Sequence, residues 1–351
     1  SQPLARARDL DAVVKHARSR ASGWDCVIPV SGGKDSFWQV VTCLERGLRP
    51  LCVTYVYPGQ TELGRRNLRA LIALGVDHIE FRLNPIVERT FVTKAFQKTG
   101  ISGLVTHMAI YTVPIRIAVA HGIPLVVYGE NSAFEYGSEE AGLGGPQLTR
   151  RWLKRFGVTA GTTAEDWADE TLTRAQLEPL VLPSDALLEK QDLRVVFLGH
   201  YLPWDPQTSR DVALAHGFAA RSEGARVGHY DFVNIDDDMI GAHHHPKWAK
   251  FGITRSWDTL SMEIRAGRME RAEAIEILRA AGDETPWADI QNVCAYSGLS
   301  VGDYLSIVER FRNHDLWSRA SIDGRERWTI DGFLVDGFPW PADPTEVEAR
   351  S

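Results

Sequence analysis

The fold is decided by the stretch Cys26-Val27-Ile28-Pro29-Val30-Ser31-Gly32-Gly33-Lys34-Asp35-Ser36. The apolar residues up to Val30 predict a buried strand, and the amphipathic residues after Ser36 predict a helix. Two adjacent glycines between them let the main chain approach an anion closely, and the following helix aims its N–H groups at that anion. Lys34 adds a positive charge. The stretch therefore predicts a phosphate site where a strand meets a helix.

The spacing of this turn separates it from the loop of kinases and GTPases, which reads Gly-x-x-x-x-Gly-Lys-Ser/Thr. Residues 31–36 read Ser-Gly-Gly-Lys-Asp-Ser and are similar to the PP-loop. That loop holds the β,γ-pyrophosphate of ATP while a nucleophile attacks the α-phosphorus, so we expect an adenylated substrate and pyrophosphate as products. The cofactors that the resemblance implies are ATP and Mg²⁺. The predicted ATP contacts are Ser31, Gly32, Gly33, Lys34, Asp35 and Ser36, with Lys34 and Asp35 also in catalysis and Asp35 on Mg²⁺.

Beyond this turn, strand-like and helical segments alternate along the chain. The further strands are predicted at Pro50–Tyr57, His78–Leu83, Leu125–Tyr128 and Arg194–Leu198. Such alternation predicts an α/β fold with a doubly wound parallel sheet. We assign residues 1–137 and 191–238 to this ATP pyrophosphatase domain, residues 138–190 to an insertion that forms a lid or an assembly surface, and residues 239–351 to a mainly helical C-terminal region.

A second group of candidate residues follows the predicted strand Leu125–Tyr128. Ligands bind at the carboxyl ends of strands in such sheets, and Mg²⁺ prefers carboxylate and phosphate oxygens. We therefore predict that Gly129 contacts ATP, that Glu130 binds Mg²⁺, and that Glu130, Asn131 and Glu135 are catalytic, with Asn131 orienting a substrate carbonyl. A plain strand-to-helix turn with capping acids is the alternative interpretation.

Three further residues are predicted to contact ATP or an acidic substrate. Tyr55 lies in the second predicted strand, and Lys250 and Arg255 flank a glycine in the C-terminal region. The charges of Lys250 and Arg255 suit pyrophosphate or an acidic substrate. The nearby run His243-His244-His245 favours a solvated or substrate-facing patch over a metal site, because adjacent residues on a helix point in different directions.

Composition limits the class of protein. The chain has 351 residues, a net charge of −7, 44% hydrophobic and 24% charged residues, and four cysteines. An acidic balance argues against a nucleic-acid partner. No apolar run reaches the ~20 residues of a membrane span and no signal-peptide pattern is present, so we expect a cytoplasmic protein without a membrane partner. The cysteines form no Cys-x-x-Cys pair and are expected to be buried thiols. Because the first residue is Ser1, the N-terminus is expected to be processed or trimmed.

Several blocks of the sequence resemble the N-acetyl sugar amidotransferases, PP-loop enzymes of bacterial surface-sugar pathways. These blocks are Trp24–Ser36, Gly64–Leu68, Leu74–Phe81, Tyr128–Asn131 and Ile264–Met269, and the resemblance covers residues 24–285. It implies that ATP adenylates an amide oxygen of a small, nucleotide-sugar-like acceptor. It also implies that ammonia from a separate glutaminase subunit displaces AMP, which converts an acetamido group to an acetamidino group.

Two other functions remain open at this stage. PP-loop enzymes also insert sulfur into tRNA bases or small metabolites, a reaction that commonly uses a reactive cysteine. A non-catalytic nucleotide-binding subunit is the third interpretation. The chain shows no Cys-His hydrolase pattern, so an amidotransferase would take ammonia from a partner or from solution. A homo-oligomer is also compatible with the sequence.

Overall fold

The computed structural model describes residues 2–135, 143–282, 284–322 and 325–330. The chain divides into two compact units. The first comprises residues 1–91 and 104–220, and the second comprises residues 92–103 and 221–351. The boundary thus falls after Ala220 rather than at the predicted position 238, because the segment 221–238 bonds residues of the second unit, as where the Arg226 guanidinium donates to the Asp289 carboxylate at 2.6 Å. Residues 221–238 therefore fold with the second unit.

The first unit contains a five-stranded parallel sheet in the order β3-β2-β1-β4-β5. The strands are β1 (Cys26–Pro29), β2 (Pro50–Tyr55), β3 (Asp77–Phe81), β4 (Leu125–Tyr128) and β5 (Arg194–Phe197). Every residue of β2 and β4 is buried, whereas β3 at one edge exposes Asp77 and Glu80. This matches the sequence, because a strand covered on both faces is apolar throughout and an edge strand tolerates charge. The predicted α/β class is confirmed.

Helices connect and flank these strands. They are α1 (Gln2–Arg20), α2 (Lys34–Glu45), α3 (Glu62–Ile72), α4 (Pro85–Thr99), α5 (Leu104–His121), α6 (Ser132–Glu135), α7 (Arg150–Phe156), α8 (Arg174–Leu177), α9 (Asp185–Lys190), α10 (Leu198–Tyr201) and α11 (Pro206–Ala215). Short 3₁₀ turns occupy Ala164–Trp167 and Glu178–Leu180. The part of the predicted insertion that the structure describes therefore consists of short helices and turns, with the segment 136–142 outside the described residues.

The strand order creates a switch point between β1 and β4. The chain moves outward from β1 to β2 and β3, then returns across the sheet to β4 and continues to β5. Because parallel crossovers are right-handed, the two directions of winding place their helices on opposite faces of the sheet. A crevice opens where the winding reverses, at the carboxyl ends of β1 and β4. Both groups of candidate residues follow these two strands.

Helix α5 is the core helix of the first unit. Among the described residues it is the one helix long and apolar enough to cross a membrane, with half of that stretch buried inside the protein. Its buried residues pack against β1 and β2. This is the environment that a central helix of a globular unit requires, and length and composition alone are weak evidence for a membrane span.

In the part of the second unit that the structure describes, helices predominate and a hairpin follows them. The unit contains α12 (Ile240–His244), α13 (Pro246–Phe251), α14 (Arg255–Arg265), α15 (Arg271–Ala281), α16 (Trp287–Ser297) and α17 (Val301–Arg310), followed by β6 (Ser318–Ile322) and β7 (Arg325–Thr329), which pair antiparallel. One buried cluster forms around Phe96, Ile290 and Tyr304, and another around Trp248 and Trp317. The unit thus has its own apolar core.

Candidate functional site

The Ser31–Ser36 turn joins β1 to α2 in the way the sequence predicts, but α2 begins earlier than expected. It starts at Lys34 rather than at Phe37, so Lys34, Asp35 and Ser36 form its first turn. The residue before it, Gly33, has no side chain that could cap the helix. The first N–H groups of a helix have no partner inside the helix. At this position the Ser36 N–H donates to the Gly33 carbonyl at 3.1 Å, and the N–H groups of Lys34 and Asp35 remain available to an anion.

The two serines of the turn shape the loop. The Ser36 Oγ accepts a hydrogen bond from the Ser31 N–H at 3.0 Å, and the Ser31 Oγ accepts one from the Gly33 N–H at 3.3 Å. A hydroxyl that accepts one bond still has its own O–H to donate. Both serines can therefore hold the turn and donate to a phosphate oxygen.

Gly32 is required by packing as well as by conformation. Its φ is +91°, a region that L-residues with side chains rarely adopt. A Cβ at this position would lie 2.7 Å from the Gly64 carbonyl oxygen and 2.8 Å from the Leu68 nitrogen, both on α3. The glycine therefore allows the loop to lie directly against the backbone of α3.

Lys34 and Asp35 form an ion pair, and Trp204, which follows β5 in the chain, contacts both side chains. The Lys34 Nζ lies 2.5 Å from one Asp35 carboxylate oxygen, and the Trp204 Nε1–H donates to the other at 2.9 Å. The ammonium also lies 5.3 Å from the centre of the Trp204 ring. Lys34 is only 4% exposed. A buried charge requires such partners, so this ion pair orients both side chains of the turn.

Trp204 was not predicted from the sequence. It follows α10, far along the chain from the turn it contacts, and its local sequence carries no phosphate-binding signal. Only the position of β5 beside β4 brings it to the same edge of the sheet.

Gln39 is a second residue that sequence reasoning missed, and it links the two strands of the switch point. It lies buried on α2, one turn beyond the Ser31–Ser36 turn. In the amide orientation that satisfies its neighbours, its oxygen accepts from the Gly129 N–H at 2.7 Å and its nitrogen donates to the Pro29 carbonyl at 3.3 Å. A Cβ on Gly129 would overlap this amide. Close packing against α2 thus explains why residue 129 has no side chain. The predicted contact of Gly129 with ATP stays a prediction.

Asn131 is fully buried and its amide is used within the protein. Its nitrogen donates to the carbonyls of Leu143 and Gly145 at 3.2 and 3.0 Å. Its oxygen accepts from the Trp152 Nε1–H at 2.8 Å and from the Ala133 N–H at 3.0 Å. With both amide atoms engaged, Asn131 holds the start of the inserted segment in place. The role predicted from the sequence, orienting a substrate carbonyl, does not fit this environment.

Glu130 lies half-buried at the end of β4, next to the switch point. Burial, with a further contribution from the Glu130 charge, raises the pKa of the Tyr111 hydroxyl on α5. Glu135 ends α6, but its side chain lies outside what the structure describes.

The Tyr55 side chain is hydrogen-bonded within the first unit. Its ring is buried and its hydroxyl donates to the Glu88 carboxylate. This environment gives the side chain a partner of its own, and the predicted contact with ATP remains a sequence-based prediction.

Lys250 and Arg255 belong to the second unit, where both have protein partners. The Lys250 ammonium donates to the Thr99 and Gly100 carbonyls at 2.7 and 3.4 Å, at the end of α4. A cation there satisfies carbonyls that the helix leaves without partners. Burial lowers the pKa of Lys250. Arg255 donates to Asp258 at 3.2 Å. These contacts assign structural roles to both side chains rather than the predicted anion contacts.

The residues of the turn fit a nucleotide phosphate with a divalent cation. The uncapped first turn of α2 supplies N–H donors, and Asp35 keeps lone pairs on both oxygens beyond the two bonds it accepts. Among the described residues no three His, Cys, Asp or Glu side chains gather as a metal cluster. Mg²⁺ does not require one, because with nucleotides it uses phosphate oxygens, water and one or two carboxylates.

The four cysteines of the chain are all free and buried. Burial raises the pKa of Cys52 to about 12 and that of Cys294 to about 11. A hydrogen bond with Cys43, together with burial, raises the pKa of Cys26 well above its usual value. Thiols of this kind are inert, because the thiolate is the reactive form.

Comparison with known proteins gives one family match. Residues 226–330, within the second unit, match the sequence model of a family described as LPS biosynthesis protein WbpG-like, C-terminal domain. The match supports the resemblance to enzymes of bacterial surface-sugar pathways, over about a third of the chain. No curated protein matches the chain.

The solved structures to which the chain is similar include an NMN synthetase from Francisella tularensis. That structure has a TM-score of 0.37 and 16% sequence identity, and the alignment covers 84% of this chain and 93% of that chain. A likeness of this strength carries no conclusion about function.

Proposed function

We propose that the chain is a PP-loop enzyme that uses ATP, releases AMP and pyrophosphate, and transfers ammonia to a small acceptor. The observation that carries this proposal is the uncapped first turn of α2 at the switch point, with the Lys34–Asp35 pair in that turn. Glu130 follows the adjacent strand β4. A phosphate site without the Gly-x-x-x-x-Gly-Lys pattern supports pyrophosphate release rather than transfer of the terminal phosphate.

In the proposed reaction, an amide or carboxyl oxygen of the acceptor attacks the α-phosphorus of ATP. The new oxygen–phosphorus bond forms as the bond to the pyrophosphate oxygen breaks. Ammonia then adds to the activated carbon, and AMP leaves with the acceptor oxygen. Lys34 and the N–H groups of α2 stabilise the charge that develops on pyrophosphate. Asp35 and Glu130 would hold Mg²⁺, which neutralises part of the phosphate charge.

The cysteines of this chain are not suited to releasing ammonia from glutamine. Glutamine hydrolysis by a cysteine nucleophile requires an accessible thiolate. All four cysteines are buried, and burial raises the pKa of Cys52 and Cys294. We therefore propose free ammonia or a separate glutaminase subunit as the source. The same observation disfavours sulfur insertion through a cysteine persulfide.

The family match suggests the class of acceptor. The matching family is described as an LPS biosynthesis protein, which agrees with a nucleotide-sugar acceptor in a surface-sugar pathway. We place the reaction in the cytoplasm, where ATP is available.

Product analysis tests the proposal directly. With ATP, Mg²⁺, ammonium and candidate amide acceptors, the expected products are AMP and pyrophosphate. Replacing Lys34 by Met keeps the aliphatic stem and removes the charge, so AMP formation should fall at least about 100-fold with the melting temperature little changed. Lys190→Met, on the exposed surface of α9, is the matched control. ADP and phosphate as products would reject the mechanism.

The nitrogen source is tested with the same assay. Ammonium should support turnover by the isolated chain and glutamine should not. Turnover with glutamine alone would contradict the conclusion that the cysteines are unreactive. Turnover with sulfide in place of ammonium would favour the thiolation alternative.

A further inference from the structure

Trp204 lies between two hydrogen-bonded elements at the carboxyl edge of the sheet. Before it in the chain, the Gly199 N–H in α10 donates to the Gly129 carbonyl at 2.9 Å, which ties α10 to the end of β4. After it, the Asp205 carboxylate accepts from the Thr208 N–H at 3.0 Å and caps α11. Both bonds have ordinary lengths, so the backbone on either side of Trp204 is held in place.

Gly199 brings the segment that carries Trp204 close to the end of β4. A Cβ on Gly199 would lie 3.3 Å from the Glu130 Cα and 3.4 Å from the Trp204 Cβ. Trp204 and Glu130 therefore adjoin the same glycine. The indole reaches from this position to the Asp35 carboxylate in the first turn of α2.

The indole N–H and the Lys34 ammonium bind different oxygens of Asp35. The Trp204 Nε1–H donates to Oδ1 at 2.9 Å, and the ammonium lies 2.5 Å from Oδ2. Without a second donor, the carboxylate could rotate and offer both oxygens to the ammonium. The indole is a neutral donor, so it fixes the plane of the carboxylate and leaves its charge and its remaining lone pairs for a cation.

The ring of Trp204 keeps the ammonium beside this carboxylate. The Lys34 Nζ lies 5.3 Å from the ring centre, within the range of cation–π attraction, and Lys34 is almost fully buried. Asp35 by contrast is 31% exposed, and Trp204 is half-buried. The carboxylate is therefore accessible to a ligand while both of its protein partners stay in position.

We propose that Trp204 is a positioning residue that couples the binding of ATP to the binding of Mg²⁺ by fixing the Asp35 carboxylate. The inference rests on the proposed function, because its ligands are ATP and Mg²⁺. The indole acts through Asp35 and Lys34. The freedom of the carboxylate to rotate is lost when the chain folds rather than when the cation binds, which strengthens cation binding.

Calorimetry with α,β-methylene-ATP tests this coupling without turnover, because its carbon bridge prevents release of pyrophosphate. The Kd of the nucleotide is measured with and without Mg²⁺, and the ratio of the two values gives the coupling. Trp204→Phe keeps an aromatic ring beside Lys34 and removes the N–H, so the ratio should fall about three- to tenfold. Trp204→Leu also removes the ring, so binding without metal should weaken too, by about threefold or more.

Trp24→Phe is the matched control. The Trp24 indole N–H also donates to an aspartate, Asp77, at 2.7 Å, but it lies ahead of β1 at the amino end of the sheet. The same type of bond is lost in the same unit, away from the Ser31–Ser36 turn. The coupling ratio of this variant should equal that of the wild-type chain.

The indole N–H resonances in nuclear magnetic resonance give a readout that a merely structural role would not move. The Trp204 resonance is assigned by its loss in Trp204→Phe. It should shift in Asp35→Asn, and it should shift again when Mg²⁺ and the nucleotide bind to the wild-type chain. The Trp24 resonance should stay in place in both experiments.

An unchanged coupling ratio in Trp204→Phe, or no coupling in the wild-type chain, would overturn the inference. An unshifted Trp204 resonance in Asp35→Asn, which leaves the indole intact, would overturn it as well. AMP formation is scored separately with ATP. A reduced ratio in Trp204→Phe with no AMP from any acceptor would reject the proposed function while the role of Trp204 stands, and AMP formation with an unchanged ratio would reject the role of Trp204 alone.

Discussion

Gly32 and Gly75 adopt nearly the same backbone conformation, with φ values of +91° and +92°, but their surroundings differ. A Cβ on Gly32 would meet the backbone of α3, whereas one on Gly75 would meet no atom within 4 Å. Substitutions at these two glycines therefore distinguish the cost of conformational strain alone, at Gly75, from that of strain plus steric overlap, at Gly32. Because α3 lies against the turn, a side chain at Gly32 disturbs the fold as well as the anion site.

Gly75→Ala should destabilise the chain by about 1–2 kcal/mol, the cost of a left-handed conformation. Gly32→Ala should cost more, roughly 2–5 kcal/mol, because overpacking against α3 is added to the strain. Chemical denaturation measures both free energies of unfolding, and calorimetry with ATP should show weakened binding for the Gly32 variant alone. Equal losses of stability would show that α3 does not restrict the turn.

Asp237, in the second unit, gives a pH-dependent prediction. Burial raises its pKa from 3.8 to about 8, although the Met239 N–H, which donates to it at 2.8 Å, acts in the opposite direction. Between these pH values the folded chain retains a proton that the unfolded chain releases. Stability contributed by this residue is therefore greatest below pH 4 and falls as the pH rises to about 8.

Asp237→Asn removes this titration and keeps an oxygen for the Met239 N–H. Its melting temperature relative to wild type should rise between about pH 4 and pH 8, reaching a gain of several degrees, and should then level off. Asp303→Asn is the control, because hydrogen bonds from Ser300 lower the pKa of Asp303, so this carboxyl titrates below pH 4 and the melting temperature of the variant relative to wild type should stay constant between pH 4 and pH 8. A constant difference for Asp237→Asn across the same range would contradict the assignment.

At the scale of elements, the end of β4 and helix α7 are joined through one buried amide. Asn131 bonds two carbonyls of the segment before α7 and the indole of Trp152 within α7. The start of the inserted segment and α7 thus depend on a residue that the sequence predicts to be catalytic. Local pattern showed where Asn131 lies along the chain but not which way its side chain points.

Asn131→Asp should destabilise the chain by at least about 3 kcal/mol, because a carboxylate would face two carbonyl oxygens in a buried site. Trp152→Phe removes one hydrogen bond and some volume, so it should cost less, about 1–3 kcal/mol. Thermal and chemical unfolding measure the difference. Normal stability with lost turnover in Asn131→Asp would restore the substrate-orienting role predicted from the sequence.

At the scale of the whole molecule, the described residues form two units with separate apolar cores. The Ser31–Ser36 turn and Glu130 belong to the first unit, whereas the family match lies in the second. The division allows nucleotide binding to be assigned to a unit by experiment.

Hydrogen exchange with and without ATP provides that assignment. ATP should slow exchange in residues 31–46 and 125–131, because a bound ligand reduces local opening of the segments it contacts. Exchange in α13, α14, α16 and α17 should not change, since Lys250 and Arg255 already bond protein groups. Protection in α13 and α14 would instead support the anion contacts predicted for these two residues. The Lys34→Met variant is the control that should show no protection.

The sequence by itself determined the strands, the helices between them and the position of the phosphate turn. These features depend on short-range order: apolar runs, helical periodicity and glycines at the turns. Even so, α2 begins at Lys34 rather than Phe37, because a helix start without a capping side chain leaves little local signal.

Only the tertiary structure decided what the buried polar side chains do. Trp204 completes the Lys34–Asp35 pair, Gln39 joins the ends of β1 and β4, and the Asn131 amide turns inward. Lys250 bonds the end of α4 instead of an anion. Each of these partners lies on a different element, and a buried polar group takes whichever partner packing brings within hydrogen-bond distance. The order of the strands in the sheet, which no local pattern encodes, therefore selected the residues that surround the site.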